Sequence, residues 1–70
     1  MRNRIAELRK EKQLTQEELG NALSVSRQTI ISLESGRYNP SILLAFKIAT
    51  FFETTIEQVF IYEEKGNENL

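Results

Sequence analysis

Residues 15–36 read Thr-Gln-Glu-Glu-Leu-Gly-Asn-Ala-Leu-Ser-Val-Ser-Arg-Gln-Thr-Ile-Ile-Ser-Leu-Glu-Ser-Gly, and local rules divide them into two short helices joined by a tight turn. Thr15 followed three residues later by Glu18 is a capping box, which starts a helix at Gln16. Leu19, Ala22 and Leu23 then line one face of that helix with apolar groups. Ser24-Val25-Ser26 interrupts the pattern, and Ser26 can serve as the N-cap of a second helix from Arg27. Ile30 and Leu33 give the second helix a narrow buried stripe, and Gly36 ends it as a left-handed cap. Helix, three-residue break and helix fit a helix-turn-helix at about 16–35.

The polar face of the second helix carries the chemistry. At about 100° per residue, Arg27, Gln28, Ile31, Ser32 and Ser35 share one side, opposite Ile30 and Leu33. Arginine offers a bidentate donor fork to guanine, and glutamine can pair bidentately with adenine. Both stand in the first turn, the end of a recognition helix that reaches furthest into the major groove. A solvated face that merely keeps a small domain soluble is the plainer alternative. It suits an isolated helix better than one that follows a well-formed first helix and turn. Ile31, an apolar residue on this face, either touches a thymine methyl or is one of the single exposed apolar residues that are ordinary on any surface.

With those residues in hand, the chain resembles the Cro/C1-type (xenobiotic-response-element) helix-turn-helix repressors in their compact single-domain form. The resemblance runs from about Ile5 to Phe60. It rests on Leu8-Arg9, Leu14-Thr15-Gln16-Glu17-Glu18-Leu19, Ser26-Arg27-Gln28-Thr29-Ile30, Leu33-Glu34-Ser35-Gly36 and Asn39-Pro40-Ser41, which are specific together and weak singly. It implies an all-α, lambda-repressor-like bundle of about five short helices. It also implies base contacts from Arg27, Gln28 and Ser32, and a phosphate contact from Gln16. Arg9 would pair with Glu34, tying the first helix to the recognition helix; the alternative is a surface pair worth about 0–1 kcal/mol. One departure is Ser24, where the family often has glycine. In a left-handed conformation serine costs about 1–2 kcal/mol more than glycine. Gly20 meets the family's need for a small residue where the two motif helices cross.

Composition limits the alternatives. Seventy residues make one domain, near the size at which a single core barely outweighs chain entropy. Without cysteine or histidine, neither disulfides nor thiolate or imidazole metal sites can staple it. Stability is therefore expected from helix packing and dimerisation. There is also no aspartate, no phosphate-cradling glycine loop and no serine beside a credible base, so an enzyme is not expected, nor any cofactor, metal or small-molecule ligand. No stretch reaches the roughly 18 apolar residues of a membrane span, and no signal segment opens the chain, so the expected location is the cytoplasm.

The formal net charge of −1 is unusual for a nucleic-acid binder, but it is unevenly spread. Residues 1–50 carry eight Lys or Arg against five Glu, net +3, and residues 51–70 carry Lys65 against five Glu, net −4. One region can thus bind phosphate while the acidic end points elsewhere. The small basic excess implies modest non-specific affinity, so binding should lean on base contacts and dimer avidity.

Outside the motif, residues 3–12 read as a first helix with Ile5 and Leu8 inward and Arg4, Lys10 and Lys12 outward. Gly36 to Ser41 is a turn by composition, in which Arg37, Tyr38 and Asn39 could clamp a DNA backbone beside the helix that Ser41 caps. An ordinary loop with Tyr38 over the core edge is the alternative. Thr29 is assigned to packing or a phosphate contact. Residues 42–52 are the most apolar segment, with Leu44, Ala45, Ile48, Ala49 and Phe52 on one core face. Leu43, Phe46 and Phe51 lie largely off it, and with Ile61 and Tyr62 they make up the expected dimer surface. Thr54 and Glu57 suggest a second capping box, opening a short helix with Ile56, Val59 and Phe60 inward. Val59 to Glu63 reads equally as a helix end or as an extended segment paired near the N-terminus. The domain is set at 1–62, and 63–70 reads as a polar, disordered tail.

The function expected is a sequence-specific regulator of transcription on double-stranded DNA, a repressor binding a palindromic operator as a homodimer. A different class remains beside it: an interaction module, such as an antitoxin or anti-regulator, with a protein partner on the acidic and partly apolar C-terminal end. An RNA-binding version is weaker, because no exposed aromatic platform for stacked bases is evident.

Overall fold

Four hydroxyl residues start four helices in the same way. Thr15, Ser26, Ser41 and Thr55 each accept a hydrogen bond from the backbone N–H three residues on, at 3.0, 3.1, 3.1 and 3.2 Å. Each such cap satisfies a donor that the helix itself cannot, a contribution of about 1 kcal/mol. The computed structural model describes residues 1–62. In chain order it contains strand β1 (Arg2–Asn3) and helices α1 (Ile5–Glu11), α2 (Gln16–Leu23), α3 (Arg27–Glu34), α4 (Ile42–Phe51) and α5 (Ile56–Val59), then strand β2 (Phe60–Ile61). The expected bundle of five short helices is what forms, and the tail assigned to 63–70 lies outside the described residues.

Two local expectations change, and one open alternative is decided. The last capping residue is Thr55, which binds Gln58 N–H, and not Thr54 with Glu57. Thr54 instead gives its backbone N–H to the carbonyl of Ala49 at 2.8 Å, finishing the C-terminal turn of α4. The first helix begins at Ile5 and not at residue 3, because Arg2 and Asn3 are extended and pair antiparallel with Ile61 and Phe60. The open question over residues 59–63 is thereby answered for 60–61, which form a strand. Arg4 N–H continues the link by donating to the Val59 carbonyl at 2.8 Å. Asn3 does the work of a missing cap on α1: its Oδ1 accepts from Ile5 N–H at 3.0 Å, and its Nδ2 donates to the Leu33 carbonyl at 2.8 Å.

Every helix sends side chains into one core. Ile5 comes from α1, Leu19 and Leu23 from α2, Ile30 and Leu33 from α3, Leu44, Ala45, Ile48 and Ala49 from α4, and Val59 from α5, closed by Phe52 and Phe60. Leu8, Leu14 and Val25 pack against its edge. Lys47 ties α4 to α2 from outside by donating Nζ to the Leu23 carbonyl at 2.9 Å. A cation on the exposed carbonyls of a helix C-terminus is favourable for both groups.

Candidate nucleic-acid interface

The turn between α2 and α3 decides how the second motif helix is presented. Ser24 is left-handed at φ 62° and ψ 40°, and its N–H reaches back to the carbonyls of Asn21 and Gly20. Val25 N–H then donates to the Gly20 carbonyl at 2.9 Å. A Cβ on Gly20 would lie 2.8 Å from the Val25 carbonyl oxygen and 3.3 Å from Ser26 backbone atoms. The bare backbone at position 20 is therefore what lets the turn lie down on α2 and sets the crossing of the two helices.

Seated this way, α3 buries Ile30 and Leu33 completely and leaves Arg27 and Gln28 exposed in its first turn. Ile31 and Ser32 are half-buried one turn further on. Four residues expected to read bases thus share one face, with the two that should reach furthest the most open. Ile31 is less exposed than its place on a polar face suggested.

The residues expected at phosphates differ in their surroundings. Thr29 exchanges a hydrogen bond with the Ser26 hydroxyl at 3.0 Å, so its side chain belongs to the α3 cap. Tyr38 gives its backbone N–H to the Ser32 carbonyl at 3.3 Å and stands beside α3, 45% exposed, and not over the core edge. It borders a shallow recess of about 230 Å³ with Ser26, Gln28, Thr29 and Ser32. Four hydroxyls and an amide line this hollow, chemistry that suits a phosphate oxygen better than an apolar ligand. Arg37 is exposed on the same loop, its N–H on Ser35 Oγ at 3.4 Å. Asn39 is exposed and accepts from the Met1 amino group through Oδ1 at 3.4 Å.

Gln16 holds a partner that sequence reading did not suggest. Its Nε2 donates to Glu34 Oε1 at 3.1 Å. Arg9 meets the same carboxylate through Nε at 2.6 Å and Nη2 at 3.3 Å, and donates Nη1 to the Leu14 carbonyl at 2.8 Å. The ion pair is nearly out of water, its side chains 12% and 9% exposed. It joins α1 to α3 and is not a surface pair.

The apolar surface is only partly the one expected for a dimer. Leu43 and Phe46 on α4 are 69% and 56% exposed, and Tyr62 is 76% exposed. Phe51 is half-buried, edge-on to Phe52 with centroids 5.0 Å apart and with Lys12 Nζ 5.7 Å from its own ring centre. Ile61 is half-buried in the strand pair. Ile42, left off the expected surface, is 69% exposed. Its i, i+4 relation to Phe46 was the signal available in the sequence. Among the described residues no helix is long and apolar enough to cross a membrane.

Comparison with known proteins agrees with this geometry. The family model described as Helix-turn-helix matches residues 5–59. An uncharacterized HTH-type transcriptional regulator of Methanocaldococcus jannaschii is 55% identical over 64 residues, covering 91% of this chain and 97% of that one. One of Bacillus subtilis is 45% identical over 66 residues, covering 94% and 100%. The crystal structure of a restriction-modification controller protein from Aeromonas hydrophila is similar, with a TM-score of 0.72 at 32% identity over 81% of this chain and 83% of that one. A transcriptional regulator from Listeria innocua has a TM-score of 0.69 at 25% identity over 96% of this chain and 68% of that one.

Proposed function

The chain belongs to the helix-turn-helix family of Cro/C1-type transcriptional regulators, DNA-binding proteins and not enzymes, and on that premise we propose that it is a cytoplasmic repressor acting as a homodimer on a palindromic operator. The observation that carries the reading is the presentation of α3, with Ile30 and Leu33 fully buried while Arg27 and Gln28 stand open in the first turn. In this reading Arg27 and Gln28 contact base edges in the major groove, assisted by Ser32 and Ile31. Gln16, Thr29, Arg37, Tyr38 and Asn39 fix the register on phosphates, the hydroxyl-lined recess beside Tyr38 receiving one of them.

The homodimer is supported by Ile42, Leu43 and Phe46, which leave one contiguous apolar stretch of α4 in water. Two hollows flank Ile56 beside this stretch, one bordered by Phe46 and Ala49, the other by Ile42, Ala45 and Phe60. Projecting side chains and hollows on one face allow a two-fold pairing in which each copy fills the other. α4 packs chiefly on α2 and α5, so such a pairing leaves α3 free for the groove. Two recognition helices would then enter successive major grooves about 34 Å apart.

Selection from random duplex DNA at low and near-physiological salt tests the proposal. Enrichment of an inverted repeat, with half-sites one helical turn apart, is the expected result. If nothing is enriched and binding vanishes as salt rises, sequence-specific operator binding is wrong and only phosphate attraction is left.

A further inference from the structure

Gln16 is the first residue of α2, and Glu34 is the last residue of α3. Their side chains meet in the free protein, and Arg9 of α1 closes the group from the other side. We propose that Glu34 is a positioning residue for recognition of the DNA backbone: it orients the Gln16 amide toward a phosphate, and Arg9 cancels its charge so that it can do so. The inference rests on the reading of Gln16 as a phosphate contact given above.

A carboxylate only accepts hydrogen bonds, whereas a primary amide has a donor end and an acceptor end. Facing Glu34 Oε1, the Gln16 amide must therefore present its nitrogen, and the flipped orientation is lost. One N–H is used in this bond. The second N–H, the group a phosphate needs, has no other partner among the described residues. A glutamine held beforehand has already given up rotamer freedom on folding, so less is lost on binding.

Glu34 could not serve alone. An unpaired carboxylate at the start of α2 would repel the phosphate it is meant to help capture. Arg9 engages both of its oxygens, and burial to 12% and 9% exposure keeps that attraction from being screened by water and salt. What the pair shows to its surroundings is a neutral group that fixes an amide dipole. Through it α1 contributes to DNA recognition without Arg9 touching DNA.

The test is a double-mutant cycle on a short duplex of arbitrary sequence at low ionic strength, where phosphate contacts supply the binding. Wild type, Gln16→Ala, Glu34→Gln and the double variant are compared well below their melting midpoints, checked by circular dichroism. Gln16→Ala should weaken binding roughly fivefold per protomer in the wild-type background and less than about twofold in Glu34→Gln. Any general gain from removing a negative charge cancels in the cycle. Equal losses in both backgrounds would overturn the positioning role and leave the phosphate contact standing. No loss in either would remove the phosphate contact and the positioning role with it. A second readout needs no DNA. The two side-chain amide protons of Gln16 should differ widely in chemical shift in the wild type and approach free-glutamine values in Glu34→Gln; identical spectra would also overturn the inference. If Glu34→Gln does not fold, Glu34→Asp withdraws the carboxylate by one methylene and enters the cycle in its place.

Discussion

A Cβ placed on Gly20 would lie 2.8 Å from the carbonyl oxygen of Val25, closer than real contacts of that kind. The opposing atom is backbone, so it cannot rotate away as a side chain would. Alanine is the better helix former by about 1 kcal/mol, which argues for a gain on Gly20→Ala. Overpacking against a fixed group costs about 1–3 kcal/mol and is the larger effect. We expect Gly20→Ala to lower the melting temperature by several degrees, read by circular dichroism. An unchanged or raised midpoint would show that the turn can move away.

Ser24 should respond in the opposite direction. Its φ of 62° is a conformation that glycine adopts without strain. Ser24→Gly relieves about 1–2 kcal/mol of strain but adds freedom to the unfolded chain, for a net gain of about 0.5–1 kcal/mol. Chemical denaturation measures this directly. A loss of stability would mean that the serine side chain supports the turn.

Two ion pairs in the same protein should behave differently. Arg9 and Glu34 are 12% and 9% exposed at 2.6 Å, whereas Arg4 and Glu7 are 46% and 56% exposed at 3.7 Å. Arg9→Ala leaves a nearly buried carboxylate without its cation and should cost about 3 kcal/mol or more. Arg4→Ala should cost less than about 1 kcal/mol after solvent screening. Equal losses in urea unfolding would show that burial does not separate the two pairs.

Arg27→Ala should weaken operator binding by about 1–3 kcal/mol and relax the preference at one base position. Arg37→Gln should weaken all sequences alike and make the salt dependence shallower by about one unit per protomer. Binding titrations on the selected duplex and its single-base variants, at several salt concentrations, separate these outcomes. Unchanged base preference in Arg27→Ala would remove that residue from base reading.

Phe46→Glu should leave the fold intact, because the side chain is already 56% exposed, yet place a charge in the apolar stretch of α4. Sedimentation should find wild-type dimer and variant monomer with the same helical signal. A wild type that is monomeric at micromolar concentration would count against both the dimer and the palindrome.

The helix-turn-helix was legible in the sequence because its signals act over three or four residues. The hydroxyls of Thr15, Ser26 and Ser41 each bind a backbone N–H three positions on, and that bond needs no other part of the chain. The buried stripe Ile30–Leu33 and the α4 face from Leu44 to Ala49, continued by Phe52 just past the helix end, follow from helical period alone. The left-handed Gly36 was likewise expected from its type and place, and its φ is 83°.

What the sequence could not decide were contacts between distant segments. Thr54 and Thr55 have similar capping chemistry, and the choice fell to Thr55 because Thr54 N–H is taken by Ala49 at the end of α4. Phe51 and Ile42 are both apolar residues beside a core face, yet Phe51 is covered by Phe52 and Lys12 while Ile42 stays open. Gln16 and Glu34 lie 18 positions apart, and only the packing of α1, α2 and α3 brings their side chains together. Local sequence thus determined where helices start and which faces they bury. The tertiary structure decided which polar groups meet and which apolar ones remain in water, because those outcomes depend on distances that no short stretch of chain contains.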